Sequence, residues 1–125
     1  MDRRITITSG ELHIDGVLFA TPTADAVWNC LPLHASINIW GDEIYFSIPV
    51  KADLETDAKE VVAVGDMGYW PSGAAFCIFF GPTPVSRPGE IRPASAVNVF
   101  GKVTGDSACF KKITDGSAIT IAKAQ

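Results

Sequence analysis

Apolar and polar residues alternate with a period of two along most of the chain, the spacing that sends successive side chains to opposite faces of a strand. Ile5 and Ile7 alternate with Thr6 and Thr8. Past a Ser9-Gly10 turn, Leu12 and Ile14 alternate with Glu11, His13 and Asp15, and Asp15-Gly16 closes the run. This predicts an opening β-hairpin. Two further alternating runs, 35–40 and 43–50, are joined by Gly41-Asp42 alone and predict a second hairpin. Residues 74–80 are continuously apolar between Gly73 and Gly81, the pattern of a fully buried strand. Residues 96–103 and 118–122 complete the strands, and 109–113 fit either a strand or a helical turn.

The period changes once. After Thr21-Pro22-Thr23, the residues Val27, Trp28 and Leu31 share one face at helical spacing, and Pro32 stops the run. Thr23 is the expected N-cap, and Asp25 complements the first-turn dipole. Residues 51–60 are polar and charged and read as a solvated turn or one loose helical turn. Residues 65–73 read as a strand with a bend. The stretch 82–93 carries four prolines and reads as an ordered surface loop outside any ladder. Eight or nine short strands with one helix, without repeat or linker, predict one mainly β domain over residues 1–125. Low charge and few lysine-guarded edges favour a closed barrel over a sandwich.

Composition narrows the function classes. The chain has 125 residues, of which 47% are hydrophobic and 19% charged, with a mean hydropathy of +0.22. Disordered chains lack such apolar content. A net charge of −4 excludes nucleic-acid binding through a basic face. The run 74–80 is far short of the roughly 20 residues that span a bilayer, and no apolar segment follows Arg3-Arg4, so the expected compartment is the cytoplasm. Cys30, Cys77 and Cys109 are scattered, without a CxxC pair. They predict neither a disulfide framework nor a metal site. Cys77, inside Phe76-Cys77-Ile78-Phe79-Phe80, reads as a small buried hydrophobe. No metal or cofactor is expected, since HxH and HExxH are absent.

Four segments occur in a recognisable order: Trp40-Gly41-Asp42-Glu43-Ile44-Tyr45-Phe46, Gly65-Asp66-Met67-Gly68-Tyr69-Trp70-Pro71-Ser72-Gly73, Phe79-Phe80-Gly81-Pro82-Thr83-Pro84 and Asn98-Val99-Phe100-Gly101-Lys102-Val103. Together they resemble the small prokaryotic proteins with an atypical cyclophilin-like barrel, from about Arg4 to the C-terminus. The resemblance implies a closed eight-stranded antiparallel barrel with one or two short helices, and no settled activity. Cyclophilin isomerases carry an Arg in a Phe-Arg context, a Phe-His-Arg-Ile segment and a Gln-Gly-Gly-Asp run; none occurs here. His13 and His34 lack those neighbourhoods, and no motif transfers the catalytic arginine to Arg87 or Arg92. Related barrels also occur as modules of amidohydrolase and oxoprolinase-type complexes, which implies an assembly role as an alternative.

The residues leave binding as the leading reading. Tyr69 and Trp70 are expected on a pocket rim, where an aromatic plane stacks a ring, a proline or a peptide; strand neighbours point to opposite faces, so the alternative makes one of the pair core. With Tyr45 and Phe80 they form the expected aromatic lining. Asn98, between Val97 and Val99, must find partners if it points inward, on a ligand or on nearby backbone. Thr83 and Arg92 complete the polar contacts, Arg92 as the best anion contact among the basic residues. Asp42 and Glu43 diverge on a hairpin and make no acid–base pair. Asp42 reads as a turn residue, and Glu43 is free to face inward. No catalytic set is assembled. The expected partner is a small molecule or an extended peptide. Weak prolyl isomerase activity is the alternative, and the apolar composition leaves a homo-oligomer open.

Overall fold

The computed structural model describes residues 3–124; Met1, Asp2 and Gln125 lie outside them. The strands are β1 (Arg3–Ser9), β2 (Leu12–Leu18), β3 (Leu33–Ser36), β4 (Asn38–Ile39), β5 (Glu43–Ser47), β6 (Asp66–Trp70), β7 (Ala75–Phe79), β8 (Asn98–Val103) and β9 (Ala118–Lys123). All nine lie in one antiparallel sheet, ordered β3-β9-β1-β2-β8-β6-β7-β5-β4. The two edges of that sheet are consecutive in sequence. β3 pairs with β9, β4 pairs with β5, and Ile37 joins them. The chain turns inward at Ile37, which is 2% exposed, and its N–H bonds Ser117 O at 2.9 Å. The run 35–40 is therefore split between two neighbours rather than forming one strand. Counted as staves the two pieces make one, so a nearly closed barrel of nine strands stands where eight were expected.

Inward positions follow the alternation. Ile5, Ile7, Ile44, Phe46, Met67, Phe76, Ile78, Phe100 and Ile121 are fully buried in the barrel interior. Phe46 stacks on Phe76 at 5.0 Å, and Phe76 meets Phe100 edge-on at 4.9 Å, both favourable aromatic geometries.

Helix α1 (Pro22–Asn29) covers one end. Its N-cap is Thr21, not Thr23: Thr21 Oγ1 accepts the Ala24 N–H at 3.1 Å. Pro22, with its fixed φ and no N–H, suits the first helical position, so the cap falls to the residue before it. Thr23 is buried inside the helix instead. The ambiguous segment 109–113 forms most of a 3-10 helix, Ser107–Lys112, capped by Asp106. Among the described residues, no helix is long and apolar enough to cross a membrane.

The unbroken apolar run at β7 has a specific cause. Phe76 and Ile78 face the barrel interior, while Ala75, Cys77 and Phe79 face outward into a second buried cluster with Val62, Ile91 and Val97. Two strap segments cover that outer cluster. Lys59 and Val97 exchange backbone hydrogen bonds at 2.8 and 2.9 Å, and the Val62 N–H bonds Ile91 O at 2.9 Å. Such a strand needs apolar residues at every position, because both of its faces are covered.

Candidate functional site

The outer face of β5 and β7, beneath these straps, holds a pocket of about 210 Å³ lined by Trp40, Glu43, Tyr45, Trp70, Cys77, Pro93, Ala94 and Val97. Pleating builds its floor. Ile44 and Phe46 point into the barrel, so Glu43 and Tyr45 point outward. The register sets Tyr45 opposite Cys77 and Glu43 opposite Phe79. On β6, Met67 and Tyr69 face inward while Gly68 and Trp70 face the outer cluster. Gly68 is needed here: a Cβ at this position would stand 2.8 Å from Val97 Cγ2, and Val97 is a wall of the pocket.

The rim is held by loop contacts. Gly41 adopts a φ of +61°, and a Cβ there would approach Pro84 Cδ to 2.8 Å. The β4–β5 turn thus tucks under the start of the proline-rich loop and positions Trp40. The Asp42 N–H bonds Pro82 O, and the Phe80 N–H bonds Asp42 O, both at 2.9 Å. Opposite, Trp70 Nε1 donates to Ser95 Oγ at 2.6 Å. That bond ties the indole to the loop beside Ala94.

Glu43 dominates the electrostatics. It is 5% exposed, and its Oε1 is buried without a hydrogen-bond partner. Burial pushes its carboxyl up to about 7, with a hydrogen bond from the neighbouring Cys77 thiol acting in the other direction. Desolvation penalises the charged form of a carboxyl, so near neutral pH Glu43 exists in both forms. Cys77 is held well above its ordinary value, first by burial and then by the charge of Glu43. It remains a thiol, and a thiol is a poor nucleophile. The site therefore offers one proton-exchanging carboxyl among three aromatic side chains.

The residues singled out in the sequence divide among three places. Tyr45 and Trp70 line the pocket. Tyr69 is 1% exposed in the barrel core, where its hydroxyl donates to Val50 O at 2.6 Å and accepts the Ala52 N–H at 3.3 Å. Phe80 is buried in the same core, its ring centroid 5.9 Å from that of Phe110. Asn98 is 1% exposed, and its amide is fully engaged: Oδ1 accepts the Glu55 N–H, while Nδ2 donates to Thr23 Oγ1 and Asp53 O. Thr83 donates its hydroxyl to Arg92 O, and Ser86 Oγ accepts the N–H groups of Thr83 and Arg92. The Arg92 guanidinium pairs with Glu90 at 2.7 Å. Thr83 and Arg92 thus stitch the loop that delivers Pro93 and Ala94 to the pocket wall.

Glu43 faces outward rather than into the barrel. Sequence reasoning also passed over Trp40, Cys77, Pro93, Ala94 and Val97. One signal for Glu43 was present: it shares the parity of Tyr45 on β5, so the two residues had to occupy one face. His13 and His34 stand apart from the pocket, exposed on strands and in contact with Thr8 and Thr120. Among the described residues, no group of three His, Cys, Asp or Glu side chains is arranged to hold a metal ion.

Comparison with known proteins agrees with this architecture. The model of a family described as cyclophilin-like matches residues 3–122. A hypothetical protein from Archaeoglobus fulgidus, known from its solution structure, is 38% identical and superposes with a TM-score of 0.81. The alignment covers 98% of this chain and 95% of the archaeal one. No curated protein matches the sequence.

Proposed function

The chain belongs to the cyclophilin-like family, and we propose that within this fold it works as a binding domain, with the outer pocket on β5 and β7 as its site. The reading rests above all on one observation. Glu43 carries a buried oxygen without a partner in a pocket otherwise walled by Trp40, Tyr45, Trp70 and apolar groups. An unmet buried acceptor costs about 1–3 kcal/mol, and a ligand that reaches it recovers that cost. Binding pockets combine apolar walls with a few placed polar groups in the same way.

The size of the pocket limits its occupant. Since a water molecule takes about 30 Å³ of the liquid, 210 Å³ corresponds to roughly seven waters. A small molecule, or a single side chain of an extended peptide, suits that space. Tyr69, Phe80 and Asn98 act in this reading as scaffold, and Thr83 and Arg92 as supports for the rim.

Ligand-observed saturation-transfer NMR with a small-molecule and proline-peptide library tests the proposal. Hits are expected with the wild type and are expected to lose at least about tenfold in affinity, roughly 1.4 kcal/mol, in Tyr45→Ala. Hits that persist unchanged in the variant place binding elsewhere. Prolyl isomerase activity has the fold likeness alone in its favour. A protease-coupled assay on an Ala-Pro peptide is expected to run at the uncatalysed rate; acceleration by the protein favours isomerase over binding module.

A further inference from the structure

We propose that the pocket takes an alkylated ammonium group, its N–H donated to the Glu43 carboxylate and its alkyl carbons set among Trp40, Tyr45 and Trp70. This names the ligand class of the site proposed above and rests on that reading.

Charge gives the first argument. Among the described residues, Glu43 is the only acidic one lining the pocket, and none of the others there is basic. The Arg92 guanidinium pairs with Glu90 at 2.7 Å and is not among the lining residues. The titratable side chains that share the pocket are Tyr45 and Cys77, with Asp42 next along the turn. None of these supplies a positive charge. A carboxylate taken out of water is stabilised by a cation and penalised without one.

The walls give the second argument. Three aromatic side chains beside one acid form the kind of enclosure that binds organic cations through the negative faces of the rings. The Trp70 indole N–H is already bonded to Ser95, so the polar edge of that ring is engaged and its remaining surface is apolar. Hydrogen bonding gives the third. A ligand carbonyl meets an acceptor in ionised Glu43 and a partner only in the protonated acid. An ammonium N–H gives the Glu43 carboxylate a donor and a countercharge together. A methylated nitrogen with the first carbons of its substituent is within the volume of roughly seven waters.

Binding and protonation are therefore linked. With Glu43 titrating at about 7, cation uptake below that pH expels the carboxyl proton, and affinity rises as pH rises through it.

The test is a pair of NMR titrations at about pH 5.5 and about pH 8, one with trimethylammonium chloride and one with the neutral tert-butyl alcohol of similar size. Trimethylammonium is expected to shift the Trp40 and Trp70 indole signals and to bind about thirtyfold more tightly at the higher pH. Glu43→Gln is expected to abolish the pH dependence, and Glu43→Asp, which keeps the charge, to retain it. Equal, pH-independent binding of both probes overturns the cation assignment and leaves the pocket as a binding site. If neither probe moves any pocket resonance, the cation assignment fails, and the pocket reading stands or falls with the library titration and Tyr45→Ala.

Discussion

Glu43 is the residue on which the site turns. Its folded carboxyl titrates at about 7 against an ordinary value of 4.5, so the native state holds the proton more tightly than the unfolded chain. The stabilisation from this proton is complete below about pH 4.5 and is lost as pH rises through about 7. At about 1.4 kcal/mol per pH unit, the loss across that window is a little over ~3 kcal/mol. Urea denaturation at about pH 4.5 and pH 8, comparing wild type with Glu43→Gln, isolates this contribution from the other acids. Glu43→Gln is expected to gain stability relative to wild type at the higher pH. Parallel pH profiles for the two proteins would show that Glu43 is not desolvated as described. The same residue shows why the site was only partly legible. Parity with Tyr45 fixes its face, but local sequence does not reveal that residues 82–97 fold back to bury that face.

At the level of elements, Asn98 joins three parts of the chain. Its amide links β8 to helix α1 through Thr23 and to the segment 53–55 through Asp53 O and the Glu55 N–H. Glu55 in turn accepts the Thr23 N–H at 3.0 Å. Replacing Asn98 with Leu leaves the Glu55 N–H and the Asp53 carbonyl without these partners, and the expected destabilisation is about 1–3 kcal/mol. Hydrogen exchange is expected to quicken over 51–60 while the β1–β2 hairpin keeps its protection. Uniform quickening of both regions would mean that Asn98 supports the whole barrel and not this latch. Residues 51–60 read as a solvated turn because the segment is rich in charge; its attachment depends on Asn98, some forty positions away. The strands were legible for the opposite reason. Period-two alternation is local, and it marked β1, β2, β5 and β9 directly. The split at Ile37 was not legible, since it follows from the closing of the barrel and not from any break in the pattern.

The molecule as a whole has two buried regions separated by one wall, the barrel interior and the smaller cluster outside β6, β7 and β8. Both draw on the apolar fraction of 47%, and the outer one leaves the aromatic pocket at its margin. The three tryptophans test the location of binding, because only two of them line the pocket. Trp40 and Trp70 do, whereas Trp28 lies on helix α1, with Lys123 Nζ 4.7 Å from its ring centroid. A broad open groove between the β1–β2 turn and the segment 104–118 is the competing location, and no tryptophan lines it. The most direct measurement is the indole region of a proton–nitrogen correlation spectrum, recorded while a ligand is titrated into the protein. Binding at the outer pocket predicts that the Trp40 and Trp70 signals move together and saturate with one dissociation constant while Trp28 stays in place. Saturable binding that leaves Trp40 and Trp70 unmoved would contradict it.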